Sequence, residues 1–431
     1  MSKFPAIFFA IMLLMVVNLP LAQAGITQSV EDALNFYHYG NKGAIKLDLN
    51  YRWENVNEDD RLNPDTGLPL PLSKQPDTAN ANTLRLRAGL LSPTFYGFQG
   101  YAEFEGNWAM QNDFSLPPPA ISKGYSVVAD PEVAELNQLW LSYNGIPDTI
   151  IKGGRQRIKL DDDRYIGNVG WRQMEHTYDS VLITHNNQQL FGLVVNAGYI
   201  GKVQTIVSTT ESLDAPFLNV NYKMGDYGNV IGYGYWLDFT DVEYYEKSSA
   251  TYGLRFTNFM KPGDTYLLND NIGVVYTAEY AHQQDYGHGI TDYFADRYNI
   301  MAGLTGWNVT LMGSMEQLEG HGKNKTFDTP LGTNHAFQGW ADLFLNTPAN
   351  GIRDVFGTAH VMLDRGNLVL TGVYHDFSDD TGNIHYGDEW DFQALWKFGK
   401  HYSLLAKFAN YSADQFGTDT QKIWMQGNVS F

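Results

Sequence analysis

Arg155, Arg157 and Lys159 recur at every second position of the run 149–160, opposite Gln156, Ile158 and Leu160. In an extended chain that spacing puts three cations on one face. There they repel one another unless the face meets water or carboxylates. Other alternating runs carry Arg85 and Arg87, Glu103 and Glu105, Arg255, Glu279, Arg297, Asp391 and Lys397 on their polar sides. Rows of opposite charge facing each other across water set a field that selects and steers small ions. The expectation is a pore constriction built from Arg85, Arg87, Arg155, Arg157, Glu103, Glu105, Arg255 and Arg297. Arg85 and Arg87 could instead pair with Glu103 and Glu105 on a neighbouring strand, which would still narrow and polarise a passage.

Nothing in the chain reads as a catalytic set. The histidines show no HExxH spacing and no GxSxG elbow is present, so no enzyme is expected. Asp161, Asp162 and Asp163 form the one candidate metal site, since clustered carboxylates can hold loop-bound calcium. The commoner reading of such a run is a solvated loop tip, and no other cofactor is implied.

These residues need strands to position them. The 431 residues include 27 Tyr, 24 Phe, 10 Trp and 42 Gly but no Cys, a composition that suits many short strands and turns. Residues 1–24 read as a secretory signal peptide, with Lys3, the apolar run Ile7–Val17 and a small-residue site at 21–24. Residues 25–42 form a short periplasmic segment with a helical candidate at 26–41. From 43 onward the period is two. Ile45, Leu47, Leu49, Tyr51 and Trp53 alternate with Lys46, Asp48, Asn50, Arg52 and Glu54, and this run is longer than most strands of soluble sheets. It matches the length a tilted strand needs to cross a bilayer. No later stretch is apolar enough for a membrane helix.

The same pattern predicts strands near 43–57, 81–92, 96–110, 133–145, 148–160, 176–186, 189–201, 216–225, 228–240, 250–260, 270–282, 295–304, 306–318, 352–364, 367–377, 388–398, 401–411 and 421–431. Long connections (58–80, 111–132, 161–175, 202–215, 241–249, 283–294, 319–351, 378–387, 412–420) alternate with mostly short ones, such as 92–94, 187–188 and 399–400. The turn at 261–269 is a longer exception. Regular alternation of long loops and tight turns describes an all-β fold: a closed antiparallel transmembrane β-barrel of about 18 strands, with short periplasmic turns and long extracellular loops. The final run, with Ile423, Met425, Gly427, Val429 and Phe431 on one face, is expected to pair with the first and close it. The loop 319–351, with Gly339-Trp340 and the Asn346–Gly351 run, is expected to fold inward.

The segment GGRQRIKLDDDRYIGNVGWRQMEHTYDS resembles that of the alginate-export outer-membrane porins. The matching elements are Gly154-Arg155-Gln156-Arg157 and Asn168-Val-Gly-Trp171-Arg172, supported by the run Glu135–Tyr143 and the ending at 421–431. The resemblance implies an eighteen-stranded barrel whose arginine-rich constriction passes a polyuronate. It makes Arg155 and Arg157 constriction residues, with Arg85 or Arg87 joining them by strand position.

Removing Lys3 with the leader takes the net charge from −19 to −20, which argues against nucleic acid as a partner. The expected partners are outer-membrane lipid and lipopolysaccharide, the barrel-insertion machinery and a hydrophilic solute. The expected place is the outer membrane of a Gram-negative bacterium. The function so read is passive passage of hydrophilic, anionic solutes or a polyuronate such as alginate. A general diffusion porin, or a plugged barrel serving as surface receptor or adhesin, is the alternative.

Overall fold

The computed structural model describes residues 43–59, 75–117, 123–187, 189, 192–259, 272–289, 292–321 and 325–431. The signal peptide 1–24, the segment 25–42 with its helical candidate, and the turn 261–269 lie outside them. Eighteen strands form one sheet in which each strand pairs antiparallel with its sequence neighbours. They are β1 (Ala44–Glu58), β2 (Ala79–Leu91), β3 (Phe98–Asp113), β4 (Val133–Ile146), β5 (Thr149–Gln156) and β6 (Thr177–Asn187). Next come β7 (Leu193–Gln204), β8 (Thr210–Lys223), β9 (Asn229–Phe239), β10 (Ser249–Phe259), β11 (Gly273–Gln284) and β12 (Phe294–Gly306). The last six are β13 (Val309–Leu318), β14 (Ile352–Leu363), β15 (Leu368–Ser378), β16 (His385–Phe398), β17 (Tyr402–Ala413) and β18 (Thr420–Ser430).

Closure is by β1 against β18, running from Asp48 opposite Ser430 to Glu58 opposite Thr420. Phe431 and Leu47 extend it by exchanging backbone hydrogen bonds of 2.8 and 3.2 Å. A closed sheet leaves no strand edge unpaired.

The barrel is inside-out relative to a soluble protein. On β2, Leu86 and Leu90 are exposed on the outer wall while Arg85 and Arg87 are buried within. On β1, Ile45 and Leu49 face out and Asn50, Arg52 and Glu54 face in. This is the arrangement period two produces when the surrounding medium is apolar. Aromatic rings crowd the outer wall, among them Phe104, Trp108, Tyr280, Tyr298, Trp390 and Phe392.

Two connections differ from the sequence reading. The region 202–215 is not a long loop, because β7 and β8 continue to Gln204 and from Thr210 with only 205–209 between them. The strand expected at 148–160 stops at Gln156. A one-sided apolar face predicts a concrete cost. Leu86→Arg, near the middle of β2, should lower the unfolding free energy of the lipid-reconstituted barrel by about 2–4 kcal/mol. Denaturant titration checks this, and no change would place Leu86 in water rather than lipid.

Candidate functional site

The site begins where β5 ends. After Gln156 the chain turns into the barrel, and residues 157–176 cross it before β6 begins. Gly154 permits the approach to β4: its φ is +122°, and a Cβ there would stand 2.3 Å from the carbonyl oxygen of Leu139. Asp161 and Asp163 take left-handed backbone, with φ of 55° and 64°, which aspartate tolerates better than most residues. Val169, at φ 51°, is β-branched and strained, a cost of about 1–3 kcal/mol that surrounding contacts must offset. Its N–H donates to Thr333 Oγ1 at 3.1 Å, and its carbonyl accepts from Arg172 N at 3.0 Å.

One end of this inward segment meets β1–β4. Arg172 pairs with Glu54 at 3.1 Å and with Asp130 at 3.4 Å, and Asp130 also pairs with Arg52 at 3.4 Å. Glu175, fully buried, takes Arg157 on one oxygen and Arg87 at 3.6 Å on the other. Asn137 and Asn168 donate to its two oxygens at 2.6 and 2.7 Å. Burial pushes the Glu175 carboxyl up, yet Arg87 and Arg157 outweigh this and hold it below the usual carboxylate range. The other end meets β8–β13. Asp162 pairs with Arg255, and Arg164 with Glu316 at 3.3 Å. Arg297 Nη1 donates to the Tyr165 hydroxyl at 3.0 Å. Burial raises Asp162 too, but Arg255 and Arg297 bring it below its ordinary value. Asp161 accepts from Asn219 at 2.7 Å, and burial lifts it to about 6 although Asn219 and Arg255 pull it down.

The second inward segment is 325–351, within the loop 319–351 that its composition led us to expect inside the barrel. It lies against the first: Gly167 N donates to the Leu331 carbonyl at 2.9 Å and Thr333 N to that of Asp163 at 2.8 Å. Backbone N–H groups of Trp340 and Ala341 donate to Asp391 and Glu389 on β16 at 3.1 and 2.7 Å.

The anticipated constriction residues therefore separate into groups. Arg87 pairs with Glu105 at 2.7 Å across strands, as one reading allowed, but Arg85 pairs with Asp48 on β1. Glu103 takes Arg157 at 2.8 Å. Arg297, at 0% exposure, pairs with Glu279 at 2.9 Å and Glu316 at 2.7 Å, and Arg255 lies 3.9 Å from Glu279. Arg155 stands apart from all of these. It lies opposite Leu139, which is 53% exposed on the outer wall, and pairs with Asp179 at 2.7 Å. Arg155 thus shares the outer face, while Arg157 and Lys159 follow the chain inward. Asp161, Asp162 and Asp163 each bind a different protein group: Asn219, Arg255 and Lys159. Among the described residues no three His, Asp or Glu side chains are grouped to hold a metal.

A cavity of about 720 Å³ lies between the first inward segment and the short-turn end of the barrel. Its floor includes Lys46, Leu91 and Ser430; its roof includes Asn168, Gly170 and Trp171. Each lining carboxylate is engaged: Asp48 by Arg85, Glu103 by Arg157, Asp163 by Lys159, and Glu175 by Arg87 and Arg157. Lys46 and Lys152 have no ion pair among the described residues and sit over Tyr101 and Trp140, at 5.7 and 4.7 Å from the ring centres. Sequence reasoning passed over both as site residues. Lys46 had only its place on the polar side of an alternating run as a signal, and Lys152 fell on the face opposite Arg155, Arg157 and Lys159.

No protein-family model matches the chain, and no curated protein matches its sequence. Its fold is nevertheless shared. The structure is similar to that of Acinetobacter baumannii OccAB1, with a TM-score of 0.65 at 14% identity, covering 90% of this chain and 96% of that one. Pseudomonas aeruginosa OpdL gives 0.65 at 13%, covering 90% and 98%. Pseudomonas aeruginosa OpdK, solved with vanillate, gives 0.63 at 12%, also covering 90% and 98%. At such identities the likeness shows a common barrel fold.

Removing Glu175 should leave the buried Arg87 with Glu105 alone and the half-buried Arg157 with Glu103 alone. Glu175→Ala is expected to destabilise the folded barrel by about 3–5 kcal/mol, read as a drop in the denaturant midpoint. A loss under about 1 kcal/mol would mean that this carboxylate does not hold the segment.

Proposed function

We propose that the protein is an outer-membrane channel for hydrophilic, anionic solutes, with the inward segments 157–176 and 319–351 setting its constriction. The observation that carries this reading is the cavity beneath Trp171. Arg87 and Arg157 are shared among Glu103, Glu105 and Glu175, which leaves one surplus negative charge, and the ammonium groups of Lys46 and Lys152, without an ion pair among the described residues, turn this into a small net positive charge. Anions entering from the short-turn end meet two exchangeable partners, and the buried arginine pairs above them shape the passage. Arg85, Arg87, Arg157, Arg255 and Arg297 then act mainly by fixing the walls and the first segment, with Glu103 and Glu105 as counter-charges.

The fold neighbours support a channel, and vanillate on OpdK is itself a carboxylate. A polyuronate such as alginate offers the same charge, repeated along a chain, and remains the narrower form of the proposal. The two inward segments also favour a second reading, a plugged barrel working as a surface receptor. Conductance separates the two.

In planar bilayers under a salt gradient, the protein should give discrete steps with anion preference. Lys46→Glu with Lys152→Glu should shift the reversal potential toward cations while steps persist. Unchanged selectivity would remove these lysines from the path, and complete absence of steps would favour the receptor. Deleting 322–336 should raise the step conductance; an unchanged value would show that segment 319–351 does not restrict flow.

A further inference from the structure

Lys407 on β17 is buried inside the barrel, yet among the described residues no carboxylate lies within ion-pairing distance of its ammonium. Its Nζ sits 3.7 Å from the ring centre of Trp340, 4.3 Å from Trp171 and 5.6 Å from Trp424. Indole faces attract a desolvated cation. One polar partner completes the shell: His335 Nε2, at 2.7 Å. The other imidazole nitrogen, Nδ1, is 2.6 Å from Asp342 Oδ1, and Lys422 holds Asp342 Oδ2 at 2.9 Å. An ammonium can only donate, so Nε2 accepts, Nδ1–H donates to Asp342, and His335 is neutral in this arrangement.

The imidazole also joins the two inward segments. His335 belongs to 319–351 and stacks on Trp171 of 157–176, with ring centres 4.4 Å apart and planes 3° apart. The guanidinium of Arg52 lies over Trp171 at 4.4 Å.

We propose that this node is an acid-opened gate: a proton on His335 Nε2 replaces its hydrogen bond from Lys407 with repulsion, and segment 319–351 separates from segment 157–176. The gate rests on the channel reading and adds its regulation. Charges reach the node from every packed element. Asp342 favours the extra proton, while Lys407 and Lys422 on β18 oppose it; Arg172 of the first segment faces Asp342, and Arg52 on β1 faces Lys407. Asp391 and Glu389 on β16 also face the Lys407 ammonium.

The sign follows from burial. Desolvation first, then Lys407 and Lys422, hold His335 down to about 3, against an ordinary value of 6.5. The docked form therefore refuses a proton that the released form accepts. Docking is unaffected above the ordinary histidine range and weakens as pH falls from there toward about 3. Segment 157–176 should stay docked over much of that interval, because Glu175 is held below the usual carboxylate range and still ionised.

The test uses the full chain, with His335→Gln as the key variant. Glutamine can accept from Lys407 and donate to Asp342 but does not titrate. Hydrogen exchange in detergent at about pH 7 and about pH 4, corrected for intrinsic rates, reports release of each segment. Wild type should lose protection across 325–345 but not 160–175, and H335Q should lose neither. In bilayers, wild-type conductance should rise roughly twofold or more on acidification and that of H335Q should stay flat. The protein has no cysteine, so an Ile166→Cys/Leu331→Cys disulfide across the bridged pair should lock the closed level until reduced. Steady currents that respond alike in wild type and H335Q, or unchanged protection, would overturn the gate. Release without current from any form would overturn the channel reading instead.

Discussion

Hydrocarbon offers no hydrogen-bond partners, so a chain crossing it as strands must satisfy every backbone group within a closed sheet. Here that constraint is met by β1 against β18, and the rest of the structure follows from it. With Leu86, Leu90 and Phe104 turned outward, Arg85, Arg87 and Glu105 have nowhere to go but inward. Once there, they need counter-charges, since an unpaired buried ion costs several kcal/mol. The wall supplies some of these, as in Arg87 with Glu105. The remainder come from chain that leaves the wall.

Segment 157–176 supplies charge of both signs to both sides. Toward β1–β4 it brings Arg172 to Glu54 and Glu175 to Arg87; toward β10 and β13 it brings Asp162 to Arg255 and Arg164 to Glu316. Opposite signs at each end fix its position across the lumen more firmly than one type of charge could. What is left unpaired then becomes informative. Among the described residues Lys46 and Lys152 have no ion pair, which is why the functional reading leans on them rather than on the better-connected arginines.

Most of the wall was legible in the sequence, because lipid outside and water inside impose a clean alternation on runs such as 44–54 and 84–90. Legibility failed where that contrast fades. Near the long-loop rim both faces are polar, so Gln204 and Thr210 carry no period, and a tight turn was read as a long loop. At β5 the alternation of Arg155, Arg157 and Lys159 continues past Gln156 although the strand does not. The inward turn depends on Gly154 and on partners far along the chain, such as Leu331 and Thr333, which no local pattern reveals. Segment 319–351 was readable as unusual from its length and its Gly-Trp pair. Its anchorage on Glu389, Asp391 and Lys407 was not.

The central claim is an inside-out barrel with water against the inner face, and cysteine accessibility tests it most directly in a chain with no native cysteine. Single variants Lys152→Cys, on the cavity wall, and Leu139→Cys and Val181→Cys, on the outer wall, would be reconstituted in lipid and exposed to a charged, membrane-impermeant thiol reagent. The account expects modification at Lys152→Cys and protection at the other two. Modification of Leu139→Cys and Val181→Cys with Lys152→Cys protected would contradict it.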